Sequence, residues 1–159
     1  MIRRDKIVSM KRILILLVLV MLGSVGFGQS KKDPVSWTYE ARKKSGNTYD
    51  VVLTATLPKP WHIYSVKSPK GAGMPTNILF KKNPLISLLG PIKENGKLES
   101  QYDENFEMTV KYYSNKVEFI QTVVLKGKAK TNIAGSIEYM ICDDERCLPP
   151  ATKSFEIKL

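Results

Sequence analysis

Period-two alternation of apolar and polar residues recurs from about residue 35 to the end of the chain, and almost no stretch places apolar residues at helical spacing. That patterning predicts an all-β domain. Val35-Ser36-Trp37-Thr38-Tyr39 opens it, and after a turn at Ser45-Gly46-Asn47, Thr48 to Leu57 sets Val51, Leu53, Ala55 and Leu57 on one side of a pleat. Pro58 and Pro60 end that strand. Trp61-His62-Ile63-Tyr64-Ser65 reads as a short extended segment, and Thr76 to Phe80 as another beyond Gly71-Ala72-Gly73. Val117, Phe119, Gln121, Val123 and Leu125 alternate with polar or smaller neighbours; Ile133, Gly135, Ile137, Tyr139 and Ile141 do the same, and Phe155, Ile157 and Leu159 close the chain. Asn83 to Glu104 is the least regular stretch. Short strands at such spacing predict an antiparallel β-sandwich.

The first residues follow a different logic. Arg3, Arg4, Lys6, Lys11 and Arg12 precede an unbroken apolar run from Ile13 to Leu22, with small residues at Gly26-Phe27-Gly28. A positive start, a short apolar run and a small-residue end define a secretory signal peptide, and the run is short for a membrane span. The division is therefore residues 1–28 as signal peptide, cleaved near Gly28/Gln29, and 29–159 as the exported domain. An uncleaved N-terminal anchor is the alternative and gives the same topology. Either way the expected location is periplasmic or otherwise exported.

The 159 residues carry 25 Lys and Arg against 15 Asp and Glu, for a formal charge of +10. Residues 1–28 hold 5 of those basic and 1 of those acidic residues, which leaves 20 against 14. The remaining lysines and arginines are scattered over polar strand faces and turns rather than clustered among aromatics, so nucleic acid is not an expected partner. Two Cys and one His fall short of a closed zinc site, and neither a metal nor another cofactor is expected. One His with scattered acids also offers no hydrolase constellation.

The two cysteines carry the chemistry. Cys142 and Cys147 stand in Tyr139-Met140-Ile141-Cys142-Asp143-Asp144-Glu145-Arg146-Cys147-Leu148-Pro149-Pro150, a C-x4-C loop at the end of a predicted strand, and in an oxidising compartment they should pair. One reading is a structural disulfide. Closing so short a loop stabilises by only about 2 kcal/mol, and a domain of this size does not need the staple. The other reading is a redox pair, which needs both sulfurs close in sequence and one reachable by a partner's thiol. Asp143, Asp144 and Glu145 discourage thiolate formation, while Arg146 favours it at Cys147, the more reactive sulfur on this reading.

As an ordered set, Trp61-His62-Ile63-Tyr64, Asp103-Glu104-Asn105-Phe106, Tyr113 before the Val117 strand and Cys142-x4-Cys147-Leu148-Pro149-Pro150 resemble the N-terminal domain of the thiol:disulfide interchange protein DsbD. The resemblance spans most of residues 29–159. It implies an immunoglobulin-like antiparallel β-sandwich that passes electrons between a membrane-embedded reductase and thioredoxin-fold partners, including those of cytochrome c biogenesis, through transient mixed disulfides. It implies that Cys142 and Cys147 are the redox pair, that Cys147 forms the mixed disulfide, that Phe106 is the aromatic of a cap loop over the disulfide with Glu104 beside it, and that Tyr64 lies near the pair. His62 falls where the family has another aromatic.

Three departures accompany the resemblance. The redox loop has four intervening residues where the proteobacterial form has five, and Asn105 stands where an acid precedes the cap aromatic. No multi-span region or thioredoxin-like domain follows Leu159, so the reductase is expected to be a separate protein. A secreted immunoglobulin-like binding module with a purely structural disulfide remains the alternative function.

Overall fold

In the computed structural model, the structure describes residues 33–71, 73–104 and 107–159. The signal segment predicted for residues 1–28 therefore lies outside the described residues, as does Phe106. Nine strands account for the regular structure among the described residues: β1 (Ser36–Ser45), β2 (Thr48–Thr56), β3 (His62–Tyr64), β4 (Asn77–Phe80), β5 (Ile86–Asp103), β6 (Met108–Leu125), β7 (Asn132–Tyr139), β8 (Ile141–Cys142) and β9 (Ala151–Lys158). The larger sheet runs β1-β2-β6-β3-β8 with β5 also on β6, and the smaller runs β4-β7-β9. Every strand pairing is antiparallel.

β6 is the axis of the larger sheet. Its C-terminal half pairs with β2, from Thr48↔Val124 to Thr56↔Lys116. Pro58 and Pro60 interrupt that neighbour as expected, and the Trp61 N–H closes a turn onto the Pro58 carbonyl at 3.0 Å. The chain then rejoins the same edge of β6 as β3, at His62↔Ser114 through Tyr64↔Tyr112. The other edge of β6 is taken by β5 from Ile86↔Leu125 to Asp103↔Met108.

Two sequence expectations are corrected here. The irregular stretch from Asn83 to Glu104 contains β5, an 18-residue strand. Its alternation is masked because the register slips between Leu89 and Lys93 and again between Gly96 and Leu98, and each slip changes which residues share a face. The alternating run Ile133 to Ile141 is not one strand: β7 ends at Tyr139 in the smaller sheet, and after Met140 the chain enters the larger sheet as β8 beside β3.

Between the sheets, Val51, Leu53 and Ala55 of β2 and Val117, Phe119 and Val123 of β6 form one core with Ile133, Ile137 and Tyr139 of β7 and Phe155 and Ile157 of β9. Those are the residues whose alternation was legible: in β6, β7 and β9 one face is dry, and in β2, buried on both faces from Val51 to Ala55, the core face still carries the larger share of apolar residues. Gly135 sits where a Cβ would fall 2.2 Å from the Leu79 carbonyl oxygen and 2.6 Å from Phe155 Cζ, so its bare Cα lets β4 and the Phe155 ring close on β7. The Tyr139 hydroxyl donates to Asp33, which also pairs with Lys153 at 3.1 Å, fastening the start of the domain to β7 and β9.

Candidate functional site

At the β3–β8 end of the larger sheet, alternate residues point to opposite faces. Ile63, Tyr113 and Ile141 belong to the core. Tyr64, Val110 and Cys142 face the other way and form a second cluster with Met108, Tyr112 and Met140. The cysteine chemistry is thus seated outside the main core, on the outer face of the sheet.

A tight hairpin positions the two sulfurs. Cys142 and Cys147 are opposite one another in a β-bridge, their Cα atoms 3.9 Å apart, and the side chains are joined as a disulfide. The Asp143 N–H donates to the Arg146 carbonyl at 2.8 Å and the Leu148 N–H to the Ile141 carbonyl at 2.9 Å. The Asp143 carboxylate accepts from the Glu145 and Arg146 N–H groups at 2.9 and 2.8 Å, which tightens the loop. Those backbone donors hold the Asp143 carboxyl below the usual carboxylate range. Pro149 and Pro150 then carry the chain to β9, unable to extend the hairpin ladder.

The sulfurs differ in access. Cys142 is 3% exposed, while Cys147 is open to solvent. The Tyr64 hydroxyl donates to Cys142 Sγ at 3.5 Å. Burial, then the charge of Asp103, pushes the Tyr64 phenol above its ordinary value, so it stays protonated and remains a donor.

Tyr64 is held from two directions. Its carbonyl accepts from Thr76 Oγ1 at 2.5 Å. Gly73, at φ 100°, lies so near that a Cβ would meet the Tyr64 ring at 2.4 Å. The loop between them is fixed at its start by Ser65, whose Oγ donates to Glu94 Oε2 at 2.8 Å while the Val66 N–H donates to Glu94 Oε1 at 2.9 Å. Tyr113 has its phenol pushed up to about 12, chiefly by burial and then by the Glu94 charge.

His62 is directly opposite Cys142 in the β3–β8 register. Its ring packs on Tyr112 at a centroid distance of 4.5 Å and stands perpendicular to the Tyr64 ring at 5.9 Å. Burial lowers its pKa, and the charges of Asp144, Asp143 and Glu99 act in the opposite sense. Glu104 is exposed in the turn between β5 and β6, next to the strand end whose Met108 packs in the cysteine cluster.

The residues singled out from sequence and described by the structure, Cys142, Cys147, Tyr64, His62 and Glu104, therefore gather at one end of the larger sheet. Tyr112, Met108, Met140, Gly73, Thr76 and Glu94 were not singled out. Only strand register and loop closure bring them there, and neither leaves a mark in local spacing.

Fold and site together define an immunoglobulin-like antiparallel sandwich that carries a disulfide in a short hairpin with one sulfur buried and one exposed. A family model, "Thiol:disulfide interchange protein DsbD, N-terminal", matches residues 31–159, and the chain belongs to that family. Among solved structures the chain is similar to the DsbD N-terminal domain of Neisseria meningitidis in its reduced form, at 15% identity and a TM-score of 0.50, over 76% of this chain and 83% of that one. It is also similar to the N-terminal periplasmic domain of ScsB from Proteus mirabilis, at 15% identity and a TM-score of 0.55, over 82% of this chain and 47% of that one. The chain thus spans about half the length of the ScsB structure. No curated protein matches it.

Proposed function

We propose that the domain is a periplasmic thiol–disulfide exchange module that passes electrons between a membrane-embedded reductase and thioredoxin-fold partners. The difference in exposure between Cys147 and Cys142 carries the reading. A partner thiolate reaches the Cys147 sulfur, forms the mixed disulfide there, and the electron pair of the broken bond goes to Cys142 Sγ. The Tyr64 hydroxyl meets that developing charge as a hydrogen-bond donor. The partner's second thiol then attacks its own half of the mixed disulfide, leaving the domain as a dithiol and the partner oxidised.

Membership of the DsbD family supports two further roles: Phe106 as an apolar cap over the pair, and Glu104 as its acidic neighbour. An aromatic ring over a disulfide excludes water and small thiols and yields to a protein that offers better contacts.

The test is the reduction potential of the Cys142–Cys147 pair, from equilibration with thiol buffers and trapping of free thiols. A value of roughly −120 to −270 mV supports exchange. A value below about −300 mV overturns it in favour of a binding module with a structural disulfide. On the exchange reading, Cys142→Ala accumulates a mixed disulfide through Cys147, and Cys147→Ala abolishes transfer with the fold intact.

A further inference from the structure

We propose that His62 is the proton partner of the Cys142 sulfur, taking up a proton when the disulfide is reduced and standing as the counter-charge to a Cys142 thiolate. The inference rests on the exchange reading above and adds a residue to it.

The geometry begins with register. His62 and Cys142 are direct partners across β3 and β8, and both side chains lie on the outer face of the sheet. Directly opposed residues place their Cβ atoms about 5 Å apart, which brings an imidazole within reach of a neighbouring sulfur. The Tyr112 ring, 4.5 Å away between centroids, backs the imidazole, and the Tyr64 ring stands at right angles to it. Tyr64 Oη, in turn, is the donor to Cys142 Sγ. The buried sulfur is therefore flanked by a phenol that donates a hydrogen bond and by an imidazole that can hold a full charge.

The surrounding charges decide when it does so. From the hairpin loop, Asp143 and Asp144 face His62, and from β5 so does Glu99; Tyr112 of β6 and Tyr64 of its own strand are neutral phenols. Arg146 is turned to Asp143 at 3.8 Å. With the disulfide closed, burial outweighs the three carboxylates and the ring is held toward its neutral form. Reduction adds a fourth negative charge, on a buried sulfur directly opposite His62 in the β3–β8 register, and the balance tips toward the imidazolium. The stoichiometry closes. The partner dithiol gives up two electrons and two protons and becomes a disulfide; the electrons cleave the Cys142–Cys147 bond, one proton goes to Cys147 Sγ and the other to His62, opposite the Cys142 thiolate.

The chain has a single histidine, so its ring resonances need no assignment. Titration by NMR of the oxidised and the fully reduced protein should show the His62 pKa higher in the reduced form by about one pH unit. Cys147→Ala, which leaves Cys142 as a lone thiol, should keep the raised value. Cys142→Ala should return it to that of the oxidised protein. By reciprocity, His62→Gln should raise the pKa of the Cys142 thiol by a similar amount. Equal His62 values in the two redox states, or a rise that survives Cys142→Ala, overturns the proposal. A pair that resists glutathione buffers refutes the exchange reading instead; the titration is then run in excess dithiothreitol, where equal values still refute the role of His62.

Discussion

Gly73 and Tyr64 are in such close contact that a Cβ at position 73 would lie 2.4 Å from Tyr64 Cε2, on a backbone with φ of 100°. The same ring carries the hydroxyl that donates to Cys142 Sγ. A backbone constraint in the loop after β3 is thereby passed, through one aromatic ring, to the buried sulfur.

Gly73→Ala should destabilise the domain by roughly 3 kcal/mol, combining left-handed backbone strain with overpacking. Gly46, at φ 50° with open space around it, is the control, and Gly46→Ala should cost only about 1 kcal/mol. Urea titration of both variants separates the two terms, and equal losses would show that the Tyr64 ring moves aside freely.

Tyr64→Phe keeps the ring and removes the donor. Reduction by a dithiol should slow by about tenfold, the effect of one hydrogen bond to a developing charge, with little change in the urea midpoint. Stopped-flow reduction checks this, and an unaltered rate would remove the phenol from the exchange step.

Phe106→Ala should speed reduction by small thiols such as dithiothreitol relative to the unaltered protein. The comparison is a rate measurement at fixed thiol concentration and pH. No acceleration would sink the shielding role of the cap.

The stability profile should fall on both sides of neutrality. The folded-state pKa of His62 is depressed by burial, so its contribution is present above the unfolded value of 6.5 and is lost as pH falls. Glu118, held low first by its bond from Arg42 and then by Asn95, and Asp143, held low by backbone donors, extend the acid limb below the ordinary carboxylate range. On the alkaline side Tyr113 is raised from 10.0 to about 12, so stability present below pH 10 is lost as the pH climbs toward that value. Urea midpoints across this range check the shape. Tyr113→Phe should flatten the alkaline limb.

What could be read in advance follows from where water lies. The second half of β6, β7 and β9 each bury one face, and their alternation is plain, whereas β2 buries every residue from Val51 to Ala55 and alternates only in residue type. β5 has no second neighbour among the described residues, leaves Leu88, Leu89, Leu98 and Tyr102 about half exposed, and slips register twice, so period two is lost although the strand is among the longest. At the site, Cys142, Cys147, His62 and Tyr64 were legible because they come from two short segments with recognisable local patterns. Tyr112, Glu94 and Gly73 enter from elsewhere in the chain through pairing and loop closure, which spacing does not encode.

The hairpin bonds from Asp143 to Arg146 and from Leu148 to Ile141 are made by backbone groups, not by sulfur. Breaking the sulfur–sulfur bond leaves this frame in place, so both oxidation states are built on nearly the same scaffold. On the exchange reading, this hairpin then works as a rigid electrode, its backbone frame held the same whether charged or spent.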